Sequence, residues 1–287
     1  MQLNFKSVLV VAFVLCFGLS VGICSSTHAA EKINIWSTDA ATLKNTDAKD
    51  IPTLDLYLVK SETPVAAILV IPGGGYKHHS SGAWSKAKLC QKHGVAAFVL
   101  KYRLPSKGHR YPLPLDDAQR AMRLIHHNAK KWNIDPTRIG VTGGSSGGHL
   151  ASLLCNSNDK GNTKAKDPID RQPCRPGFAI LVQPVVTFLK PHAHWPSRVR
   201  MLGDVTDDQA KKISPELLVT TQTPPTALLH GSADRLVPPE NSKLYAAALK
   251  AKGVKVETTY FDGVAHVFSK PLQDKFEQLL EEFVPKK

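Results

Sequence analysis

The sequence comprises 287 residues, of which 42% are hydrophobic and 21% are charged. This composition excludes a disordered, collagen-like or repeat protein, and the length is sufficient for one large α/β domain with a substantial core. The formal net charge is +13. The lysines are scattered, however, and no aromatic residues are interleaved with them, so we expect a solvated basic surface and no nucleic-acid partner.

Residues 1–30 have the pattern of a secretory signal peptide. The start is positively charged, an almost wholly apolar run covers 8–21, and small residues lead to Ala29 and Ala30. That run is shorter than the roughly 20 residues of a membrane span, so a retained anchor helix is the less favoured alternative. We expect cleavage after Ala29 or Ala30, one folded domain over 31–287, a secreted or periplasmic location, and no stable membrane association.

Strand-like and helix-like patterns alternate along the rest of the chain. Continuous apolar runs separated by amphipathic helices are typical of a parallel sheet covered by helices on both faces. In such α/β folds, functional groups gather at the carboxyl ends of the strands. In chain order, the pattern predicts strands at 66–71, 95–100, 138–142, 178–182, 226–230 and 254–260, and helices at 115–132, 149–154, 241–252 and 272–283.

A glycine-rich loop, PGGGY at 72–76, directly follows the first of these strands. Glycines allow the backbone to approach a ligand closely and to present N–H groups to it. An oxyanion that forms during acyl transfer needs such donors. The loop is therefore a candidate oxyanion-binding segment.

The segment 143–147, GGSSG, lies between the predicted strand at 138–142 and the helix that follows it. A G-x-S-x-G sequence in a strand–turn–helix context is a nucleophile elbow, in which small neighbours permit a sharp turn that exposes the serine hydroxyl. The segment fits the pattern in two registers, with either Ser145 or Ser146 as the nucleophile. Strand length does not decide between them.

Asp234 and His266 follow the predicted strands at 226–230 and 254–260. A histidine at this edge of the sheet can take the serine proton, and a carboxylate can orient the imidazole and stabilise its charged form. The chain order Ser, Asp, His is that of an α/β-hydrolase. Asp262, four residues before His266, is the alternative acid.

The remaining histidines do not indicate a metal site or a cofactor. The pairs at 78–79, 126–127 and 192/194 have no Cys or Glu partner at the spacing of metal ligands, so we expect surface or cleft residues and no bound metal. His149, next to the elbow, is expected to pack behind the nucleophile. The cleft wall is expected to include residues 185–225, with Trp195 among them.

Three cysteines follow the apparent signal peptide: Cys90, Cys155 and Cys174. Export places them in a compartment that permits disulfides. A bond between Cys155 and Cys174 would close a short loop and is the favoured pair, while three buried free thiols are the alternative. Spacing alone does not decide between the two.

Four segments resemble the carbohydrate-esterase branch of the α/β-hydrolases, which includes acetyl-xylan esterase-like and bifunctional acetyl/feruloyl esterase-like proteins. The resemblance extends over 36–283. The segments that carry it are PGGGY at 72–76, VLKYRLP at 99–105, DDAQRAMRLIHHNAKKWNIDPTRIGVTGGSSGGHLAS at 116–152 and HGSADRLVP at 230–238.

The resemblance implies an α/β-hydrolase fold and places the family's functional residues on this sequence. The family's elbow, G-x-S-A-G-G-H-L, matches Ser145 as nucleophile and Ser146 as an oxyanion donor through its N–H. Gly74 and Gly75 match the other oxyanion positions, and Asp234 and His266 match the acid and the base. Gly144, Ser146 and 264–265 depart from the family's usual residues, which puts substrate preference in doubt.

The expected function is that of a secreted serine esterase without a cofactor, acting on short acyl esters, chiefly acetyl esters of xylan-type carbohydrate. Its expected partner is a small-molecule or polysaccharide ester substrate, and the oligomeric state is left open. A serine peptidase of the prolyl-oligopeptidase type is the main alternative, since it shares the catalytic domain. A non-catalytic binding protein is less favoured because the candidate serine, aspartate and histidine are all present.

Overall fold

Eight strands form one sheet within residues 31–37 and 39–282, the part of the chain that this computed structural model describes. The spatial order is β1-β2-β4-β3-β5-β6-β7-β8, with parallel pairing from β4 to β8 and antiparallel pairing at the β1–β2–β4 edge. The strands are β1 (Glu31–Asn34), β2 (Thr53–Tyr57), β3 (Val65–Ile71), β4 (Ala96–Lys101), β5 (Ile134–Ser145), β6 (Ala179–Pro184), β7 (Thr226–Gly231) and β8 (Val256–Phe261).

Helices cover both faces of the sheet. Their bounds are α1 (Gly82–Lys92), α2 (Leu113–His127), α3 (Ser146–Asn156), α4 (Trp195–Leu202), α5 (Asp207–Lys211), α6 (Glu240–Ala251) and α7 (Lys270–Glu281). Alternate residues of β3 belong to opposite cores: Leu69 packs with the α2, α3 and α6 side, and Val70 packs with α1 and α7. Burial on both faces explains why this strand is continuously apolar. This architecture confirms the predicted α/β-hydrolase fold.

The predicted strands are all present, with shifted ends. The strand predicted at 138–142 extends over Ile134–Ser145, so that the elbow is the end of β5 itself. The helix predicted at 115–132 ends earlier, because Asn128 caps the last turn of α2. The apolar pattern of the sequence did not predict β1, β2, α1, α4 or α5.

A buried ion pair fixes the loop after β4 to α2. Arg103 and Asp117 are both completely buried, and the guanidinium bonds to the carboxylate through Nη2 at 2.7 Å and Nε at 3.0 Å. Trp36 Nε1 donates to the same carboxylate at 2.8 Å. The buried carboxylate thus has hydrogen-bond donors from both Arg103 and Trp36, as a buried charge requires. The bond from Trp36 ties the segment before β2 to the domain.

The favoured disulfide is not formed. Cys90, Cys155 and Cys174 are free and buried, which is the alternative considered from the sequence. Cys174 Sγ instead accepts the backbone N–H of Asp159 at 3.3 Å.

The predicted signal peptide, 1–30, lies outside the described residues, as do the last five residues of the predicted domain, 283–287. Within the described part, no helix combines the length and the apolar character that a membrane crossing requires.

Candidate active site

The nucleophile elbow is built by a sharp turn between β5 and α3. Ser145 has φ 55° and ψ −128°, a conformation that L-residues rarely adopt and that costs about 1–3 kcal/mol. The turn also requires glycine at position 147, because a side-chain carbon there would lie 2.3 Å from the carbonyl oxygen of Ile71 on β3. The strained serine therefore stands at the end of β5, in a turn that packs closely against β3.

The two possible nucleophiles differ in exposure. Ser145 is half-buried and lines the main cleft at the carboxyl edge of the sheet. Ser146 is completely buried and does not line it. Its backbone begins α3, where the first N–H groups of a helix have no partner within the helix.

Asp234 and His266 are brought together by the loops after β7 and β8. His266 Nδ1 lies 2.6 Å from Asp234 Oδ2. Because the carboxylate can only accept, Nδ1 carries the proton and Nε2 is left with its lone pair. The side chain of His266 is 20% exposed and lines the same cleft as Ser145, whereas that of Asp234 is fully buried. The free nitrogen, Nε2, therefore belongs to the accessible residue of the two.

The Asp234 carboxylate is held in its charged form. Oδ1 accepts the backbone N–H groups of Leu236 and Val237 at 3.0 and 2.9 Å. Burial acts to raise the pKa of this carboxyl, but hydrogen bonds from His230, His266 and the Val237 N–H outweigh it and hold the pKa well below its usual range. A charged carboxylate at this position stabilises an imidazolium at His266.

The alternative acid, Asp262, has a different partner. It is exposed and accepts a hydrogen bond from Ser232 Oγ at 3.0 Å. It therefore supports the turn between β8 and the histidine loop.

The glycine-rich loop reaches the nucleophile at Gly73 and Gly74, which line the cleft, whereas Gly75 does not. Gly74 has φ +113°, and a side-chain carbon there would lie 2.2 Å from His78 O. Among the described residues, the N–H groups of Gly74 and Gly75 have no hydrogen-bond acceptor. Arg200 Nη1 holds the loop by donating to Gly75 O at 2.8 Å.

Gln183 positions the histidine loop and was not singled out from the sequence. It lies at the end of β6 with φ 46°, is almost completely buried, and donates through Nε2 to Ala265 O at 2.6 Å. The positive φ of a non-glycine residue at a strand end is a structural signal that no sequence pattern supplies. Together with Arg200, which holds the glycine-rich loop, it supports the site from outside the motifs.

His149 lies behind the elbow, as expected. It is completely buried, its Nε2 lies 2.8 Å from Ile213 O, and its ring stacks on Phe188 with 4.0 Å between centroids. Since a carbonyl only accepts, Nε2 carries the proton and Nδ1 accepts from Tyr76 Oη at 2.8 Å. This imidazole is a neutral link between α3, the glycine-rich loop and the segment after α5.

The cleft has a volume of about 730 Å³. Its walls come from the β3–α1 segment, the ends of β5 and β6, and the segments around Leu236 and Phe268. The expected wall at 185–225 does not contribute lining residues. Trp195 begins α4 and is 49% exposed, with Arg198 packed at 4.8 Å from its ring, so it lies outside the cleft.

Within residues 31–37 and 39–282, no group of three or more His, Cys, Asp or Glu side chains is placed to hold a metal ion. What the site does hold is a strained serine, an imidazole oriented by a carboxylate, and the unpaired backbone N–H group of Gly74, all on one cleft. That arrangement can perform nucleophilic acyl transfer.

Comparison with known proteins agrees with this chemistry. The family model described as BD-FAE matches residues 54–249. An acetylxylan esterase of Xylanibacter ruminicola is 31% identical over 224 residues, which are 75% of this chain and 44% of that protein. The endo-1,4-beta-xylanase B of Butyrivibrio fibrisolvens is 34% identical over 208 residues, 71% of this chain and 32% of that protein. The chain thus spans less than half the length of these two relatives.

Solved structures extend the similarity to nearly the whole fold. The acetyl ester-xyloside bifunctional hydrolase from Caldicellulosiruptor lactoaceticus superimposes with a TM-score of 0.84 at 35% identity, covering 90% of this chain and 98% of that one. The propionate-bound esterase Est2 from Thermogutta terrifontis has a TM-score of 0.71 at 25% identity, covering 91% and 97%. These similarities confirm the resemblance to carbohydrate esterases: the chain belongs to the BD-FAE family and has the α/β-hydrolase fold of carboxylic-ester hydrolases.

Proposed function

We propose that this protein is a serine esterase that hydrolyses short acyl esters, chiefly acetyl esters of xylan-type carbohydrate. The observation that carries the proposal is the Asp234–His266 pair, bonded at 2.6 Å, whose imidazole lines the same cleft as the strained Ser145. The names of the relatives support the substrate class, because they include an acetylxylan esterase and an acetyl ester-xyloside hydrolase.

The reaction begins with attack of Ser145 Oγ on the ester carbonyl carbon, while His266 Nε2 takes the hydroxyl proton. Asp234 stabilises the resulting imidazolium and keeps the imidazole in the required tautomer. The backbone N–H groups of Gly74 and Ser146 bind the oxyanion, each donor of this kind being worth about 3 kcal/mol. The C–O bond to the alcohol then breaks, and His266 gives its proton to the leaving oxygen.

Water completes the cycle. It attacks the acyl group on Ser145 as His266 Nε2 takes one of its protons, and collapse of the second tetrahedral intermediate releases the carboxylic acid. His266 returns the proton to Ser145 Oγ. The balance is one ester and one water consumed, and one alcohol and one acid produced.

The test is a substrate panel with the purified protein, combined with active-site labelling. We expect hydrolysis of para-nitrophenyl acetate and release of acetate from acetylated xylan, with feruloyl esters and aminoacyl-proline amides as comparison substrates. A fluorophosphonate probe, with the labelled site identified by peptide mass spectrometry, is expected to label the unmodified protein and Ser146→Ala at Ser145. It is expected to leave Ser145→Ala unlabelled. Labelling of Ser145→Ala but not of Ser146→Ala would reverse the register, and cleavage of the amides alone would replace the esterase by a peptidase.

We also propose that the protein is exported and that its first 29 or 30 residues are removed. The charged start, the short apolar run and the small residues at Ala29 and Ala30 support this. Amino-terminal sequencing of the cell-free fraction is expected to begin at Ala30 or Glu31. An intact Met1 on a membrane-bound protein would instead support an anchor helix.

A further inference from the structure

A lysine occupies the buried face of α1. Lys86 shares this face with Ala83, Ala87 and Cys90, and it is only 9% exposed. Among the described residues, it forms no ion pair with a carboxylate; its Nζ instead lies 4.8 Å from the ring centroid of Phe268, and Phe276 is also in contact. Aromatic faces offset only part of the cost of burying an ammonium group. This charge therefore lacks a full counter-charge.

Lys86 lines the same cleft as Ser145 and His266. None of the described residues that line this cleft is acidic, and Lys86 is the one Lys or Arg among them. Burial lowers the pKa of Lys86 to about 8, so the ammonium form still predominates at neutral pH. The cleft thus presents one unpaired positive charge beside apolar walls that include Leu89 and Phe268.

We infer that this cleft binds esters that carry a carboxylate, with Lys86 Nζ pairing with that carboxylate while Ser145 attacks the ester carbonyl. The inference rests on the proposed esterase function and deepens it by naming a specificity-determining residue. An anion would supply the counter-charge that the protein does not, because a buried ammonium group without a partner is costly and pairing offsets that cost. The carboxylate can belong to the acyl part or to the alcohol part of the ester.

Two matched substrate pairs distinguish these sources. On the acyl side, mono(para-nitrophenyl) adipate is compared with its neutral methyl ester, methyl para-nitrophenyl adipate. On the alcohol side, para-acetoxybenzoate is compared with methyl para-acetoxybenzoate. We expect the enzyme to prefer the carboxylate member of one pair by about tenfold or more in kcat/KM, in line with the roughly 1.5–3 kcal/mol of a charged hydrogen bond.

The decisive variant is Lys86→Met, which keeps an unbranched side chain of nearly the same length and removes the charge. It is expected to abolish the preference, mainly through a higher KM for the carboxylate ester, while kcat/KM for the neutral ester stays within about threefold. Lys86→Arg is expected to retain much of the preference. Lys88→Met, at an exposed position on the same helix, is the matched control and is expected to change neither substrate.

A measurement on the unmodified enzyme covers the case in which Lys86→Met does not fold. Monomethyl adipate should inhibit hydrolysis of the neutral ester more strongly than its uncharged amide. Equal inhibition, no preference within either pair, or equal losses on both substrates in a folded Lys86→Met would overturn the inference. Failure of the enzyme to hydrolyse any of the neutral esters would instead count against the proposed function.

Discussion

Two imidazoles lie on either side of the elbow, and their surroundings are opposite. His266 faces the cleft with one nitrogen bonded to the Asp234 carboxylate and the other left as an acceptor. His149 faces the interior with both nitrogens bonded to neutral partners, Tyr76 Oη and Ile213 O. Burial lowers the pKa of His149 to about 3, so it does not take a proton at neutral pH.

The hydrogen-bond partners of each histidine thus decide whether its ring can hold a proton during the reaction. A carboxylate stabilises the imidazolium and so allows His266 to hold a transferred proton for the duration of a step. Two neutral partners in a buried site favour only the uncharged ring, which makes His149 a fixed cross-link. Replacing each residue should therefore affect different properties of the protein.

The largest expected effect is on turnover in His266→Ala. We expect kcat to fall by about 10⁴- to 10⁶-fold, as for other members of such units, while the folded structure is retained. His78→Ala is the matched control, because His78 also lines the cleft, whereas the histidine partners of Asp234 among the described residues are His230 and His266. Steady-state assays with para-nitrophenyl acetate and circular dichroism measure the two properties; near-normal turnover in His266→Ala would remove it from the mechanism.

The next effect is that of Asp234→Asn, for which we expect a loss of about 10⁴-fold in kcat because the amide no longer fixes the tautomer or offsets the charge. Combining it with His266→Ala should cost little more than His266→Ala alone, since the two residues act as a unit. Asp262→Asn is the control, and its turnover should remain within a few-fold of normal. The reverse pattern of activities would make Asp262 the acid.

Replacing the buried ring tests the other half of the comparison. His149→Phe leaves Tyr76 Oη and Ile213 O without partners, and we expect a loss of about 2–5 kcal/mol in the free energy of unfolding at pH 7. Urea denaturation measures this loss. His127→Phe, at an exposed position on α2, should lie within about 0.5 kcal/mol of the unmodified protein.

The acid dependence of stability follows from the same ring. The pKa of His149 is about 3 in the folded state and near 6.5 when unfolded, so the unfolded chain binds more protons between these values. Stability is therefore fully present above about pH 6.5 and is lost as the pH falls toward 3. At pH 4.5 the loss from this group is about 2–3 kcal/mol. In His149→Phe, the fall in unfolding free energy from pH 7 to pH 4.5 should be smaller by that amount; an unchanged fall would show that His149 is not the group responsible.

The smallest expected effect is that of Tyr76→Phe. It removes the donor to His149 Nδ1 and leaves one buried acceptor unpaired, which costs about 1–3 kcal/mol. Thermal unfolding should detect the loss, while kcat stays within about threefold. A change in kcat larger than that in Asp234→Asn would place Tyr76 in the reaction rather than behind it.

The sequence predicted the parts of the site that follow strands directly. Continuous apolar runs identify parallel strands, and motifs at their ends must meet at one edge of the sheet, which is why Asp234 and His266 were expected to lie together. Helix α1 was not predicted, because Lys86 interrupts its apolar face. Gln183 and Arg200 were not found either, since each acts through a contact between segments that are distant in the chain.

The edge strand β1 and the state of the cysteines also depend on contacts between distant segments, so the sequence did not predict them. β1 has the sequence EKIN and is mostly exposed, so it lacks the apolar pattern of a strand. Its position comes from antiparallel pairing with β2 rather than from its own residues. Cysteine spacing likewise did not decide between a bond and free thiols, because pairing depends on side-chain directions that only the packed fold provides.

The three buried thiols make it possible to measure how often this domain opens. Burial raises the pKa of Cys90 to about 12, and it also raises those of Cys155 and Cys174. Since thiolates are the reactive form, a thiol reagent cannot modify these side chains while the domain is closed. Each modification therefore records one opening of the native structure, and its rate reports how often the interior becomes accessible to solvent.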